Sequence, residues 1–373
     1  MTHLPYPLDT GLLEPFAAEM AQTPQDGIHH AEGDVLTHTM MVADAIKTLD
    51  SFKTLTEKDK EILIAAALLH DVGKIKTTKV IGGSIEAPRH APIGAHIARE
   101  YLWKMHGLCG SLDNMRLREA ICLLIQYHSL PLHLIDDIDG TRKMHNIASN
   151  SVLAPDFSFR QLITLCHADI LGRMCNDRDD MLLRLDLCQE MATNEGCLVS
   201  SYPFASSFTR HKYLSGAEIW KDQLLHNDSW GEVVMMCGLP GTGKDTWISC
   251  NLPDMPVVSL DEIRKREKIS PTKNQGIVAS LAREDAKNYL RKKQPFVWNA
   301  TNITKDMRRS LTSLFEGYGA NVRIVYLETD WETLCQRNRS RNEQVPQTAI
   351  ERMLGKMSLP LMHEALTVEW HYV

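Results

Sequence analysis

Apolar runs and helical periodicity divide the chain into two differently patterned halves. The second half contains short apolar runs, EVVMMCG, VVSLDE, FVWNATN and VRIVYLE, separated by helical patterns at 276–293, 304–316 and 331–341. Strands that alternate with helices in this way are typical of a parallel sheet covered by helices. The pattern predicts an α/β domain with a mostly parallel sheet.

The first half has helical periodicity only. The apolar run ILIAAALL (62–69) predicts a helix buried on nearly all sides, and DVLTHTMMVADAI predicts another, capped by Asp34. We therefore expect an all-α domain over 1–195 and the α/β domain over 231–373. Residues 196–230 are interpreted as a connector, because 196–216 are rich in Ser, Gly and aromatic residues without clear periodicity.

Composition narrows the functional classes. The chain has 373 residues, of which 43% are hydrophobic and 24% charged, as in soluble globular proteins. Its net charge of −6 argues against a non-specific DNA coat, so any nucleic-acid contact must come from local Arg and Lys groups. Nine Cys without a C-x-x-C pair favour a reducing, cytoplasmic location, and no apolar run is long enough to span a membrane.

A glycine-rich turn follows the first predicted strand of the second half. It reads CGLPGTGKDT and fits G-x-x-x-x-G-K, so backbone N–H groups and Lys244 are expected to bind nucleotide phosphates. The candidate nucleotide-binding residues are Gly238, Leu239, Pro240, Gly241, Thr242, Gly243, Lys244, Asp245 and Thr246. Asp245 stands where this pattern has Ser or Thr. Its carboxylate could bind Mg²⁺ directly, hold a metal-bound water, or leave the hydroxyl role to Thr246.

Two further strand ends carry polar groups. Asp261 and Arg264 follow the second predicted strand, where the carboxylate could accept a proton from an attacking hydroxyl and the guanidinium could bind a phosphate. The alternative is that Asp261 caps a helix. The stretch 299–302 ends the next strand and could line the phosphate site, or Thr301 or Asn302 could cap the following helix.

The chemistry of the first half is centred on histidine. Fourteen of the sixteen His precede residue 231, and His70-Asp71 closes the apolar run 62–69. Other predicted helices carry further imidazole and carboxylate groups, which suit Mn, Fe, Co, Ni or Zn. The candidate metal ligands are His38, His70, Asp71, His96, His128 and Asp169, whereas His90, His133 and His167 are interpreted as structural.

The phosphate loop, the D-x-x-R pair and the run LCQRNRSRNEQVP together resemble 5′-hydroxyl polynucleotide kinases of end-repair systems, over about 231–360. The resemblance implies ATP (or another NTP) with Mg²⁺, and Lys244 on the β and γ phosphates. It implies that Asp261 is the general base and that Arg264 holds the nucleic acid. Arg341 is implied as the lid arginine on the transferring group, with Arg337 and Arg339 as further candidates.

The order His, His-Asp, Asp resembles the HD phosphohydrolase superfamily, over roughly 27–180. The resemblance implies an all-α fold whose ligand core is His38, His70, Asp71 and Asp169. His96 and His128 match the extra histidines of members that bind two ions. Lys74 would stabilise charge on the substrate beside Asp71, and Ser129 and Arg173 are candidate contacts to a substrate phosphate.

The whole chain resembles bacterial bifunctional end-healing proteins. The resemblance implies phosphorylation of 5′-OH ends, removal of 3′-phosphate or 2′,3′-cyclic phosphate, RNA or DNA ends as partners, and a functional link to a polynucleotide ligase. Two alternatives remain open from the residues. One is a nucleotidase joined to a kinase of nucleosides or metabolites, and the other is a nucleotide-gated RNA sensor without enzymatic activity.

Overall fold

The described chain forms two compact units. A computed structural model describes residues 10–104, 107–270, 274–341 and 344–373. The first unit runs to Tyr202 without Gly110–Leu112, and the second comprises Gly110–Leu112 and Pro203–Val373. Within the described residues, no helix combines the length and the apolar character that crossing a membrane requires.

The N-terminal half is helical, as predicted, with one added hairpin. Its helices are α1 (Ala17–Gln22), α2 (Val35–Thr48), α3 (Asp50–Lys53), α4 (Glu57–Leu69), α5 (Lys74–Thr77), α6 (His90–Lys104), α7 (Leu112–Tyr127), α8 (Gly140–Ser149), α9 (Phe159–Leu171) and α10 (Arg178–Asn194). Short 3₁₀ turns lie at Thr10–Leu13, Leu130–His133 and Asn150–Val152. The antiparallel hairpin consists of β1 (Lys79–Ile81) and β2 (Ser84–Glu86).

Helix α4 is the centre of the first unit. Thr56 caps its N-terminus by accepting a hydrogen bond from the Asp59 amide, and the apolar run after Glu61 is almost entirely buried. Helices α2 and α9 both pack on α4 and on each other. The C-terminal end of α4 also lies inside the unit, because His70 and Asp71, which follow it, are buried.

Both neighbours of α4 begin with side-chain caps. Asp34 accepts a hydrogen bond from the Thr37 amide, which confirms the predicted start of α2. Ser158 and Gln161 form a reciprocal capping box at the start of α9. Because the caps fix where each helix begins, they also fix the depth at which His38 and Asp169 lie against α4.

The C-terminal unit is an α/β domain. Its elements are α11 (Ser207–Leu214), β3 (Glu232–Cys237), α12 (Lys244–Asn251), β4 (Val257–Ser259), α13 (Leu260–Arg266), α14 (Gln275–Arg291), β5 (Phe296–Asn299), α15 (Lys305–Gly317), β6 (Asn321–Glu328), α16 (Trp331–Arg339), α17 (Gln347–Leu354) and β7 (Thr367–Tyr372). Helix α11 lies inside the stretch interpreted as a connector, and His211 on it contacts Glu316 of α15 at 2.6 Å.

Five parallel strands form the sheet in the order β4-β5-β3-β6-β7. The predicted α/β class with a mostly parallel sheet is confirmed. The central strand β3 is buried from Val233 to Cys237, as its unbroken apolar sequence requires. All carboxyl ends of the strands meet at one edge, which is where parallel sheets place ligand-binding groups.

One buried ion pair holds the C-terminal segment to this edge. The guanidinium of Arg308 on α15 is fully buried and binds both carboxylate oxygens of Glu364, at 2.7 and 2.9 Å. It also donates to the carbonyl oxygens of Asn302 and Ser358. The loop after β5 and the segment before β7 are therefore fixed by one side chain.

We predict that Arg308→Ala lowers the free energy of unfolding by about 3–5 kcal/mol, because it leaves the Glu364 carboxylate buried and unpaired. The neighbouring Arg309 is the control, since its side chain is 74% exposed. Chemical denaturation of the full chain measures both variants. Equal midpoints for Arg308→Ala and Arg309→Ala would contradict the role given to Arg308.

Candidate active sites

Three helices bring four of the predicted metal ligands together in the first unit. His38 comes from α2, His70 and Asp71 follow α4, and Asp169 lies on α9. His38 Nε2 lies 3.1 Å from Asp169 Oδ1 and 3.6 Å from Asp71 Oδ2. His70 Nε2 lies 3.3 Å from Asp71 Oδ2 and 3.4 Å from His38 Nε2. The HD core expected from the sequence is thus assembled in space.

A second group of ligands meets the other oxygen of the same carboxylate. His90 Nε2 and His128 Nε2 lie 3.5 and 3.9 Å from Asp71 Oδ1, and 3.3 Å from each other. Asp71 therefore faces one group of imidazoles with each oxygen. This is the arrangement that a carboxylate needs to bridge two metal ions.

The prediction of His96 as a metal ligand, and of His90 as structural, is corrected here. Helix α6 begins at His90, whose ring faces Asp71. Residue 96 lies six positions further along the same helix, a rotation of about 240°, so its side chain leaves the helix on a different face. Among the described residues, His96 belongs to none of the groups that could hold a metal ion.

Backbone carbonyls set the tautomer of three of these rings. His70 Nδ1 donates to Ala67 O at 2.7 Å, His90 Nδ1 to Ala87 O at 2.9 Å, and His128 Nδ1 to Ile125 O at 2.8 Å. A carbonyl oxygen only accepts, so in each neutral ring the proton sits on Nδ1. Each Nε2 lone pair is consequently free to point towards Asp71.

The pKa shifts of His90, His128 and Asp71 suit metal binding. Burial and the nearby rings of His70 and His90 lower the pKa of His128 to about 3, and burial lowers the pKa of His90. Burial favours the neutral acid for Asp71, but Lys74 and His70 outweigh it and hold the pKa of this carboxyl well below its usual value. Neutral imidazoles around an ionised carboxylate are the forms that bind a transition metal.

The donor set fits one or two metal ions. Asp71 is only 1% exposed, and its Oδ1 accepts no hydrogen bond from any described group. A buried carboxylate oxygen without a partner is costly unless a cation binds it. The first ion would be held by His38, His70, Asp71 and Asp169, and the second by Asp71, His90 and His128.

Two residues beside His38, His30 and Glu32, were not among the residues predicted from the sequence. Glu32 Oε1 lies 2.8 Å from His38 Nδ1 and accepts a hydrogen bond of 2.9 Å from His30 Nδ1. Burial opposes ionisation of Glu32, yet hydrogen bonds from His38 and the Met174 amide lower its pKa to about 2. Glu32 orients the His38 ring so that Nε2 faces the ligand cluster. Neither residue lies in a periodic segment, so no sequence pattern indicated them.

An open cavity of about 340 Å³ leads to the cluster. Among its lining residues are Lys74, Ser129, His133 and Arg173. Lys74 Nζ lies 2.6 Å from Asp71 Oδ2 and donates to Gln25 Oε1 at 2.5 Å. Arg173 is paired with Asp169, donating from Nε at 3.2 Å and through a second bond from Nη2. The cavity therefore brings the predicted phosphate contacts to the metal-ligating groups.

The remaining predicted structural histidines differ in position. His133 lines the same cavity, whereas His167 lies half-buried on α9 with its pKa lowered by burial. Within the described residues, neither belongs to a group that could hold a metal ion.

In the second unit, the phosphate loop joins β3 to α12. Gly238 has φ 146° and Gly243 has φ 83°, conformations that favour glycine. A Cβ on Gly238 would lie 2.5 Å from the Leu327 carbonyl oxygen and 2.9 Å from Thr242 Oγ1. The loop thus needs glycine for its path along the sheet edge. It leads into the N-terminus of α12, and N–H groups at a helix N-terminus favour the binding of an anion.

Lys244 is positioned over this loop. Its Nζ donates to the carbonyl oxygens of Gly238 and Leu239, at 2.9 and 2.8 Å. Burial lowers the pKa of Lys244 to about 8, although Asp245 opposes the shift. A phosphate in the loop would restore the stability of the charged ammonium, so the Lys244 geometry fits the expected role in nucleotide binding.

Asp245 reaches across to a strand end. Its Oδ1 accepts a hydrogen bond of 2.6 Å from Asn299 Nδ2, at the last residue of β5. Thr246 is exposed on α12.

The other polar residues after β5 have structural contacts. Asn302 Nδ2 donates to Met236 O at 2.7 Å, and Thr301 O accepts from the Gly238 amide. The predicted cap at Thr301 or Asn302 is corrected, because Thr304 caps α15.

Asp261 and two arginines lie at the end of β4. Ser259, not Asp261, caps α13, which leaves the Asp261 carboxylate for other contacts. Arg264 Nη1 donates to Asp261 Oδ1, and Arg341 Nη2 lies 3.7 Å from Asp261 Oδ2. The D-x-x-R pair and the predicted lid arginine are therefore brought together, with 59% of the Asp261 side chain exposed.

The other two candidate lid arginines lie in different surroundings. Arg337 Nη1 lies 3.6 Å from the position that a Cβ on Gly243 would take, so this guanidinium is beside the phosphate loop. Arg339 instead lines a groove with Asn338 and Pro346. Arg337 is the better placed of the two to contact a nucleotide.

Comparisons with known proteins agree with this division. Residues 35–149 match the family described as HD domain, and residues 233–360 match a family described as AAA domain. An HD domain is followed by a phosphate-loop domain. The parallel sheet and the loop geometry of the latter are those of a P-loop kinase fold, so a phosphohydrolase-type and a kinase-type domain share this chain.

A curated relative also matches part of the chain. A multifunctional CCA protein from Ralstonia nicotianae (strain ATCC BAA-1114 / GMI1000) is 28% identical over 157 residues. The match covers 42% of this chain and 33% of that protein. The chain thus spans about a third of the length of this relative.

We predict that His90→Ala removes one bound metal ion while His96→Ala retains full metal content, because only His90 faces Asp71. The two substitutions remove the same side chain from the same helix, so each controls for the other. Elemental analysis of the full chain after loading with Mn²⁺ gives the stoichiometry. Loss of metal in His96→Ala, with retention in His90→Ala, would restore the assignment made from the sequence.

Proposed function

We propose that the chain heals broken nucleic-acid ends, with RNA or DNA as its substrate. The C-terminal unit transfers the γ-phosphate of ATP to a 5′-OH, and the N-terminal unit removes a 3′-phosphate or 2′,3′-cyclic phosphate. The products are a 5′-phosphate and a 3′-OH, which are the ends that a polynucleotide ligase joins. A ligase is therefore the proposed functional partner.

The observation that carries the proposal is the environment of Asp261. Its carboxylate lies at the open edge of the sheet between the guanidinium groups of Arg264 and Arg341. Sites for small molecules usually bury about 70–90% of the ligand surface. An exposed base flanked by two cations instead suits a hydroxyl at the end of a large anionic chain, as a polynucleotide provides.

In the kinase reaction, the 5′-OH attacks the γ-phosphorus as the bond to the β-phosphate oxygen breaks, and ADP leaves. Asp261 accepts the proton of the hydroxyl, because its carboxylate is the exposed base at the acceptor edge. Lys244 and the loop amides neutralise the β and γ phosphates. Arg264 holds the adjoining phosphate of the acceptor, and Arg341, 3.7 Å from Asp261 Oδ2, stabilises charge on the transferring group.

In the hydrolytic reaction, each step adds one water to phosphorus and breaks one ester bond to a sugar oxygen. A 3′-phosphate needs one such step and a 2′,3′-cyclic phosphate needs two, and inorganic phosphate leaves. Bound Mn, Fe, Co, Ni or Zn would supply Lewis-acid activation of water at the ligand cluster. Lys74, beside Asp71, stabilises negative charge that develops on the phosphate oxygens. Ser129 and Arg173 line the cavity, where they orient the phosphate against the cluster.

A direct test of the substrate class is competition for γ-phosphate from labelled ATP. We expect a 5′-OH oligonucleotide to be labelled in preference to free nucleosides offered at the same concentration. Preferential labelling of a nucleoside would replace the proposal by the small-molecule kinase alternative.

We predict that Asp261→Ala lowers 5′-phosphorylation by about 10²–10⁴-fold, the usual loss when a general base is removed. Hydrolysis at the 3′ end should stay near the wild-type rate, because that site is built from residues of the other unit. Glu262→Ala is the matched control, since its exposed carboxylate is paired only with Lys265 among the contacts described. Wild-type kinase activity in Asp261→Ala would remove this residue from the reaction.

A further inference from the structure

Two positions beside the phosphate loop carry the reverse of the usual residue types. In P-loop enzymes, Mg²⁺ is held by the Ser or Thr after the loop lysine and by an Asp from the Walker B strand. Here the first position is Asp245. The loop strand β3 pairs with β5 and with β6, and the end that contacts residue 245 is that of β5, whose last residue is Asn299. The carboxylate is thus on the loop helix and the neutral side chain is on the strand.

The two side chains are in direct contact. Asn299 Nδ2 donates to Asp245 Oδ1 at 2.6 Å, and Asn299 is only 8% exposed. An Asp side chain is one bond longer than Ser, which lets the carboxylate reach the strand end. An amide is suited to this contact, since a second carboxylate at the same distance would repel the first.

The hydrogen bond fixes how the carboxylate is presented. With Oδ1 held by the buried amide, Oδ2 is left for a cation at the N-terminal end of α12, next to Lys244. A carboxylate beside the triphosphate is tolerated only if a cation lies between them, and Mg²⁺ prefers oxygen ligands of this kind. The residues present therefore fit a Mg²⁺–nucleotide complex.

We propose that Asp245 and Asn299 form the magnesium side of the nucleotide site with exchanged roles, so that Asp245 supplies the carboxylate and Asn299 positions it. The inference rests on the proposed kinase function and adds the residues that select for the magnesium form of ATP. Moving the carboxylate to the strand should therefore give a working site as well.

The test measures ATP binding to the full chain, with Mg²⁺ and with EDTA, in the absence of any phosphate acceptor. The wild type is expected to bind ATP more tightly with Mg²⁺. In Asp245→Ser, the ratio of the ATP affinity with Mg²⁺ to the affinity with EDTA should fall at least about tenfold, equivalent to about 1.4 kcal/mol. The double variant Asp245→Ser with Asn299→Asp should recover most of it, because a carboxylate again faces the cation.

A matched control carries the same charge in a different place. Asp245→Ser with Thr246→Asp restores the net charge on the exposed face of α12 and should not recover the gain. Asn299→Ala provides a second, independent measurement. It should weaken binding of ATP with Mg²⁺ while leaving binding in EDTA unchanged.

The outcomes separate this inference from the kinase proposal. If the wild type does not bind ATP with Mg²⁺, the proposed kinase function fails. If the wild type binds but Asp245→Ser or Asn299→Ala binds equally well, only the exchange of roles is overturned. Recovery in the Thr246→Asp control as large as in the Asn299→Asp double variant would also overturn it, because charge and not position would then explain the result.

Discussion

The N-terminal unit depends on keeping the Asp71 carboxylate ionised while it is almost completely buried. An isolated charge in such a place is strongly disfavoured, so the surrounding helices must supply positive or metal-binding groups. Lys74 does so directly, and four imidazoles point their Nε2 atoms at the two carboxylate oxygens. The apolar helix α4 places Asp71 at this depth, and the caps of α2 and α9 set the position of the partners.

The first unit must stabilise an anionic side chain of its own, whereas the C-terminal unit carries groups suited to binding an anion. Its charged groups stand at the carboxyl edge of a parallel sheet, where glycine lets the loop pass close to β6 and Lys244 covers it. The ion pair of Arg308 with Glu364 holds the loop after β5 and the segment before β7 together. The phosphate loop therefore lies on the packed edge of the sheet, whereas the Asp261 side chain is open to solvent.

The sequence was most informative where pattern and chemistry coincide. The fold class and the phosphate loop follow from apolar periodicity and residue type, whereas the His38, His70, Asp71 and Asp169 core is what the resemblance to the HD superfamily implies. Spacing could not distinguish His90 from His96, because the choice depends on where α6 begins relative to the hairpin before it. Glu32 and the contact between Asp245 and Asn299 depend on loop paths and strand neighbours, which no local pattern encodes.

The most direct test of the two-site function uses one RNA oligonucleotide with a 5′-OH and a 2′,3′-cyclic phosphate. The full chain is first freed of transition metals by chelation and then given ATP and Mg²⁺, with Mn²⁺ added back in a second reaction, and each end is analysed separately. We expect 5′-phosphate in both reactions and a 3′-OH only after Mn²⁺ is added. A single metal dependence for both ends, or no change at the 5′ end with Mg²⁺ and ATP, would contradict the two-site function.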